Sequence, residues 1–192
     1  MTTLVFFLEE PSAKEMLRGV LPKILPEYIT PRFIVFEGKQ DLEKQLVRKL
    51  RLWRQPDSRF IILRDQDAGD CLKIKHHLVE KCREAERPDA IVRIACHELE
   101  SFYLGDLLAV EKGLEINGVA KRQNQKKFRQ PDNLPGPARE LKALTDKRYQ
   151  KISGSRSIAP HLDPGKNRSH SFNVLLQGIK KIVSPGSPAE RL

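Results

Sequence analysis

The chain has 192 residues, of which 39% are hydrophobic and 31% are charged, and this balance predicts one folded domain with its own core. Thirty-five lysines and arginines against 25 aspartates and glutamates leave a formal net charge of +10, which favours an anionic partner, nucleic acid first. No apolar run approaches the roughly 18 residues that a membrane span requires, so we expect no membrane partner.

The first residues and the cysteines bear on the compartment. The opening LVFFL is too short for a secretory signal, and it has no basic residue before it and no small-residue cleavage site after it. Cys71, Cys82 and Cys96 are odd in number and lack CxxC spacing, which is typical of reduced thiols. We therefore expect a cytoplasmic protein.

Strand-like and helix-like segments alternate four times in residues 1–116. TLVFFL (3–8) is a short apolar run, as expected of a strand buried on both faces. In the next segment, Ser12 and Glu15 have the spacing of a capping box, and Pro22 is expected to end the helix. Further strands are predicted at 32–37, 59–65 and 90–96, and further helices at 40–53, 70–83 and 97–114. This alternation predicts a single Rossmann-like α/β domain with a mainly parallel central sheet flanked by helices.

The composition changes after residue 116. Residues 121–137 are basic and rich in proline, which predicts a loop. A helix is predicted at 137–146, mostly irregular structure at 149–172, and a closing helix at 173–183. We expect residues 1–116 to form the α/β core, 117–183 to form a loop-and-helix extension packed on it, and 184–192 to be a disordered tail.

Acidic residues follow three of the predicted strands. They are Glu9 and Glu10 after the first strand, Asp65, Asp67 and Asp70 after the third, and Glu98 and Glu100 after the fourth. In parallel sheets, ligands gather at the carboxyl ends of the strands, so these side chains are expected to converge if the strands are neighbours. Clustered carboxylates repel one another unless a cation compensates them, and Mg²⁺ or Mn²⁺ is the natural one.

Several of these carboxylates have a second interpretation. Asp65 and Asp67 lie on the same side of an extended segment, yet an ordinary polar loop has the same composition. Asp70 stands where the third helix needs an N-cap, so capping and metal binding are both open. Glu98 and Glu100 can both be ligands only if the fourth strand extends through them, and otherwise they favour a helix N-terminus.

Four segments together resemble a Toprim-like family catalogued as domain of unknown function family 4276. They are LEEPSAKEML, LRDQDAGDC, ACHELESFYLGD and YQKISGSRSIAPHLDPGKNRSHSF, and the resemblance runs from Thr3 to about Val183. It implies a Toprim-like fold with a glutamate after the first strand and an Asp-x-Asp after the third. It also implies a partner ATPase of the AAA or SMC-like type, encoded nearby, and a role in phage defence.

Carried onto this sequence, the resemblance implies that Glu9, Asp65 and Asp67 are catalytic and hold Mg²⁺ or Mn²⁺ for phosphodiester hydrolysis. The wider implied ligand set adds Asp70, Glu98 and Glu100. Glu10 stands where many Toprim domains have glycine, which departs from the pattern. A topoisomerase would need a further domain for strand passage, so nucleolytic hydrolysis is the favoured reaction.

Basic side chains of the extension are candidates for nucleic-acid binding. They are Lys121, Arg122, Lys126, Lys127, Arg129, Lys151, Arg156 and Arg168. Phe128 within the basic stretch could stack on a base, and His161 could serve as an acid or base. A solvated basic loop and a surface histidine are the plainer interpretations of the same residues.

Two functions other than a nuclease fit the same sequence. One is a catalytically silent Toprim-like module that regulates or docks onto an ATPase. The other is a receiver-like domain with a phosphoacceptor aspartate after the third strand, which would also need a lysine after a fifth strand. No convincing fifth strand is visible in the sequence.

Overall fold

The computed structural model describes residues 2–184. The four strands are β1 (Thr3–Leu8), β2 (Thr30–Val35), β3 (Ser58–Asp65) and β4 (Ile91–Ala95). The α-helices are α1 (Pro11–Val20), α2 (Lys39–Arg51), α3 (Cys71–Glu84), α4 (Glu100–Leu104), α5 (Leu107–Gly113), α6 (Pro137–Leu144), α7 (Lys151–Ile158) and α8 (His170–Val183). The tail predicted at 184–192 lies outside the described residues apart from Ser184.

The strands form one parallel sheet in the order β2-β1-β3-β4. The predicted fold class, an α/β domain with a parallel sheet flanked by helices, is therefore confirmed. Leu8 pairs with Leu63, and Asp65 pairs with Ala95, so β1, β3 and β4 end at nearly the same level. The three strands that carry acidic residues at their carboxyl ends are neighbours.

Alternate side chains of each strand contribute to two hydrophobic cores, one on each face of the sheet. Leu4, Phe6 and Leu8 pack beneath α1, together with apolar residues of α4–α8. Val5 and Phe7 point to the opposite face and pack against α2 and α3. Because successive residues of a strand point to opposite faces, a strand covered on both faces must be apolar throughout, as β1 is.

The predicted capping box at the start of α1 is wrong. Glu10 occupies the N-cap position, Pro11 is the first helical residue, and no side chain caps the helix. Ser12 instead donates a hydrogen bond to the Glu10 carboxylate. Glu15 accepts from Arg156 at 2.8 Å, a residue far along the chain that spacing within the helix could not reveal.

Some element boundaries differ from the predicted ones. β2 lies two residues earlier than the predicted 32–37. The single helix predicted at 97–114 is two helices, α4 and α5, because the chain turns at Gly105 and Asp106. Asp106 then caps α5 by accepting from the Ala109 N–H at 3.1 Å.

The segment 149–172 is more helical than predicted. It contains α7, a short 3₁₀ turn at Ala159–His161 and the first residues of α8. The serine- and glycine-rich sequence of α7 has weak intrinsic helix propensity, but tertiary packing overrides it. α7 packs against α1, and Gly154 leaves room for the Tyr149 ring, which a Cβ there would meet at 2.5 Å.

The remaining extension is also anchored to the core. The predicted loop at 121–137 consists of short 3₁₀ turns, and Phe128 within it is completely buried. α6 packs on α4, and α8 packs on β4. Among residues 2–184, none of the helices combines the length and apolar character needed to cross a membrane.

Candidate active site

Four carboxylates gather at the carboxyl ends of β1, β3 and β4, and we call them the acidic cluster: Glu9, Glu10, Asp65 and Glu100. Asp65 is the last residue of β3 and is 8% exposed. Burial raises its pKa well above the usual value, and the charges of Glu10, Glu9 and Glu100 raise it further. The other three carboxylates are thus close enough to interact with Asp65 electrostatically.

Glu100 is the most deeply buried member of the acidic cluster. It is 0% exposed in the first turn of α4, and the Tyr149 hydroxyl donates to its Oε1 at 2.9 Å. Its other oxygen, Oε2, is buried without a hydrogen-bond partner in the described residues. Burial raises the pKa of Glu100, whereas the charge of Lys151 lowers it. A buried, unsatisfied carboxylate oxygen is costly and is characteristic of a functional position.

Lys151 supplies a positive charge next to the acidic cluster. Its Nζ lies 2.7 Å from Oε2 of Glu10, and it is the first residue of α7. Burial alone would lower the pKa of Lys151, but the hydrogen bond and charge of Glu10 outweigh this and raise it, with a further contribution from Glu100. We predicted Lys151 as a nucleic-acid ligand, and the structure places it against the acidic cluster.

Glu9 is held at the edge of the same cluster by β3. Its Oε2 accepts a hydrogen bond from the Asp65 backbone N–H at 3.1 Å and lies 3.8 Å from Nε of Arg64. Burial raises the pKa of Glu9, and the Asp65 hydrogen bond opposes the rise. Arg64 also pairs with Glu43 at 2.7 Å, so its charge is shared between two glutamates.

Asp67 lies on the exposed side of the acidic cluster, where its charge raises the pKa of Glu9. Its backbone has a left-handed φ of 55°, and its N–H donates to the His97 carbonyl at 2.6 Å. Its carboxylate forms an ion pair with Lys39 at 2.7 Å, and 38% of its side chain is exposed. The predicted partner Asp65 instead lies near Glu10 and Glu100, so the two aspartates have different surroundings.

Asp70 and Glu98 hold helix N-termini. Asp70 accepts from the Lys73 N–H at 3.0 Å and caps α3, which is the capping alternative left open by the sequence. Glu98 accepts from the Ala138 N–H at 2.8 Å in the first turn of α6. Both carboxylates are therefore already used by the backbone, unlike Oε2 of Glu100.

The predicted nucleic-acid residues fall into two groups. Three already form side-chain ion pairs or hydrogen bonds: Lys127 pairs with Glu140, Arg156 with Glu15, and Arg168 donates to Asn124 at 2.8 Å. Arg129 donates to the Asn124 carbonyl at 3.1 Å. Lys121, Arg122 and Lys126 make no ion pair within residues 2–184 and face solvent in the 3₁₀ turns. Buried Phe128 is not available for stacking.

The acidic cluster has the donor atoms that a hard divalent cation prefers, but its side chains are not arranged as a complete metal site. All its donors are carboxylate oxygens, which Mg²⁺ and Mn²⁺ prefer, and Oε2 of Glu100 has no partner. In the described part of the chain, however, no three acidic, histidine or cysteine side chains are arranged to hold a metal ion. Glu10 is paired with Lys151, so a cation bound through Glu10 has to compete with that ammonium group.

Sequence reasoning gave three participants of this site no role in it. Glu10 was expected among the converging acidic residues but was left out of the ligand set, and Tyr149 was not assigned. Lys151 was assigned to nucleic acid. Tyr149 and Lys151 come from a segment that was predicted irregular, and no local pattern connects it with the strand ends. The one usable signal was the YQK sequence within the family-like segment.

Comparison with known proteins identifies a family without an assigned activity. The family model described as Domain of unknown function (DUF4276) matches residues 8–180. No curated protein and no solved structure matches the chain.

Proposed function

The chain belongs to the family described as a domain of unknown function (DUF4276), and from its acidic cluster we propose that it is a Mg²⁺-dependent nuclease that hydrolyses phosphodiester bonds. The observation that carries the proposal is buried Asp65, surrounded by the charges of Glu9, Glu10 and Glu100 at the carboxyl edge of the sheet. Such an arrangement is costly to maintain without a cation, and perturbed carboxylates cluster at functional sites.

In this proposal Asp65, Glu10 and Glu100 would hold Mg²⁺ or Mn²⁺ after a rearrangement that draws their carboxylates together and displaces the Lys151 ammonium group from Glu10. A bound metal would stabilise charge on the scissile phosphate and lower the pKa of a bound water. Glu9, at the edge of the cluster, is the group that accepts a proton from the attacking water. Its raised pKa suits that role, because a general base works best when its pKa approaches the working pH.

Two features outside the acidic cluster support a polyanionic substrate. The chain carries a formal net charge of +10. Lys121, Arg122 and Lys126 have no ion-pair partner among residues 2–184, so they are free to contact phosphates. The Toprim-like relationship and an AAA or SMC-like ATPase partner encoded nearby remain parts of this proposal, as does a role in phage defence.

A catalytically silent docking module is the second candidate function. It is favoured by the ion pairs of Glu10 with Lys151 and of Asp67 with Lys39, which already neutralise two of the carboxylates. The receiver-like alternative has less support, because the sheet formed by residues 2–184 has four strands and that function needs a lysine after a fifth.

The proposal is tested by incubating the protein with single- and double-stranded DNA and RNA in Mg²⁺ or Mn²⁺, with EDTA as the metal-free control. We expect metal-dependent cleavage that Asp65→Asn lowers by at least roughly 100-fold, because losing an outer-shell partner of a ligand alone costs about 10–100-fold and losing a direct ligand costs more. Exposed Glu27→Gln is the matched control and should cleave normally.

The same samples separate the two candidate functions. Mn²⁺ binding measured by calorimetry, without cleavage of any substrate, would favour the silent module. Cleavage that Asp65→Asn leaves unchanged would show that the nuclease activity does not reside in the acidic cluster.

A further inference from the structure

A polar cavity lies at the opposite end of the sheet from the acidic cluster. It has a volume of about 290 Å³ and is formed where α2 ends, β3 begins and the chain enters β4. Its lining includes Trp53, Arg54, Arg59, Arg87, Asp57 and Asp89. Because β3 has eight residues, the cavity and the acidic cluster lie roughly 25 Å apart along the strand.

Three arginines line the cavity without an ion-pair partner among the acidic side chains of residues 2–184: Arg54, Arg59 and Arg87. Asp57 and Asp89 also line the cavity, which leaves a formal lining charge of +1 from three arginines and two aspartates. Arginine presents several N–H donors in a planar arrangement that matches phosphate.

Arg87 is held in position within this wall. Its Nη2 lies 3.5 Å from the Trp53 carbonyl, and its guanidinium carbon lies 5.5 Å from the centroid of the Phe60 ring. Its Nε is buried without a hydrogen-bond partner in the described residues. The aromatic ring and the Trp53 carbonyl therefore hold the guanidinium group in place.

Trp53 forms an aromatic wall next to these arginines. Its Nε1 donates to the Ser58 hydroxyl at 2.9 Å, and its ring meets Phe60 edge-on at 87° with the centroids 6.0 Å apart. These contacts fix the indole at the cavity. A fixed aromatic surface beside arginines suits a ligand that combines a phosphate with a planar base.

We propose that this cavity binds a nucleotide phosphate, with Arg54, Arg59 and Arg87 contacting the phosphate and Trp53 lying against the base. The proposal requires neither a metal nor hydrolysis, so it stands apart from the function of the acidic cluster. The phosphate and base can come from a free nucleotide or from the end of a nucleic-acid strand, and both present the same chemistry.

Intrinsic fluorescence provides a local test, because Trp53 is the single tryptophan of the chain. The full chain is titrated in EDTA and near-physiological salt with pyrophosphate, a uridine nucleotide and a short 5′-phosphorylated oligothymidylate. We expect a saturable change in tryptophan fluorescence. The double variant Arg54→Ala/Arg59→Ala should weaken it at least about ten-fold, as expected for lost charged hydrogen bonds.

The matched control is Arg32→Ala/Arg48→Ala, which removes the same charge from exposed positions outside the cavity. It should bind as the unchanged protein does. Equal weakening in both double variants, or no saturable signal with any of the three ligands, would overturn the proposal. If only the oligonucleotide binds, the ligand of the cavity is the end of a nucleic-acid strand. If the uridine nucleotide binds, the ligand is a free nucleotide. If the first double variant does not fold, Arg54→Gln alone provides the same comparison against Arg48→Gln.

Discussion

Nζ of Lys151 lies 2.7 Å from Oε2 of Glu10, although 141 positions separate the two residues in the chain. Glu10 follows the first strand, and Lys151 begins a helix of the extension. The contact means that the extension supplies a positive charge to carboxylates that the sheet has gathered. Folding of residues 117–183 onto the core is therefore coupled electrostatically to the acidic cluster.

Replacing Lys151 by methionine should destabilise the protein by about 1 kcal/mol, because the acidic cluster loses its ammonium partner while 45% of that side chain is exposed. The free energy of unfolding in urea measures the change. Adding Glu10→Gln to Lys151→Met should recover part of the loss, since the variant then has one fewer uncompensated carboxylate.

Lys166→Met is the control for that prediction. Lys166 is 85% exposed in side chain and lies 3.7 Å from Asp163, so its removal should change stability very little. Equal stability of the Lys151→Met and Lys166→Met variants would contradict the role assigned to Lys151.

Asp65 should make the protein less stable as the pH rises. Burial raises the pKa of Asp65 in the folded state above its usual value of 3.8. At pH values between the usual pKa and the raised pKa, the folded state therefore binds more protons than the unfolded state. Stability then falls with increasing pH across this interval. Asp65→Asn removes the effect, so its stability relative to the unchanged protein should increase with pH. Thermal melts in EDTA from about pH 4 to pH 8 measure the difference. If the difference in stability between Asp65→Asn and the unchanged protein does not depend on pH, the raised pKa of Asp65 is contradicted.

The two aspartates of the Asp-x-Asp segment should differ in their effect on cleavage. Asp67 is paired with Lys39 and is 38% exposed in side chain, whereas Asp65 lies inside the acidic cluster. We expect Asp67→Asn to lower metal-dependent cleavage less than about ten-fold, well below the loss from a direct metal ligand. Rate measurements on Asp65→Asn and Asp67→Asn, side by side, decide this. Equal losses would place Asp67 on the metal as well.

Glu98 should matter for stability and not for metal binding. Its carboxylate accepts from the Ala138 N–H at 2.8 Å at the start of α6. Glu98→Ala should cost about 0.5–2 kcal/mol, as other losses of helix N-terminal acceptors do. Glu98→Gln keeps an acceptor and should cost less. Calorimetry should find the Mn²⁺ affinity of the Glu98→Ala variant unchanged, and a clear loss of affinity would return Glu98 to the ligand set.

Gly19 should tolerate no side chain, because α1 and the 3₁₀ turn after α7 meet there. A Cβ at Gly19 would lie 2.6 Å from Cβ of Ala159 and 2.7 Å from the Pro160 backbone nitrogen. Gly19→Ala should destabilise the protein by roughly 1–3 kcal/mol, the usual cost of overpacking. In the control Gly165→Ala, the nearest atom is the Asp163 carboxylate at 3.4 Å, so we expect little change. Similar melting temperatures for both variants would contradict the close contact.

Residues 1–116 show why much of the fold could be predicted from local patterns. A strand covered on both faces must be apolar throughout, and β1 and β3 carry that signal in consecutive residues. The alternation with helices then implies a parallel sheet. The order of the strands is less local: the sequence placed acidic residues after β1, β3 and β4, but only the structure shows that these three strands are neighbours.

The site was only partly predictable, because its members depend on contacts between distant segments. Glu9 and Asp65 lie at the predicted strand ends, and a hydrogen bond joins them. Asp67 has a left-handed backbone and pairs with Lys39, and the Asp-x-Asp spacing reveals neither feature. Glu98 accepts a hydrogen bond from α6. The packing of α6 on α4 cannot be predicted from any helical or strand periodicity in the sequence.

The sequence by itself determined the parallel α/β architecture and the edge of the sheet where carboxylates collect, since both follow from residues that are close together in the chain. Only the tertiary structure decided which carboxylates are buried together and that Lys151 and Tyr149 contact them. The physical reason is that α7 has weak helical propensity of its own and forms through packing on α1, so its contribution to the site exists only in the folded chain.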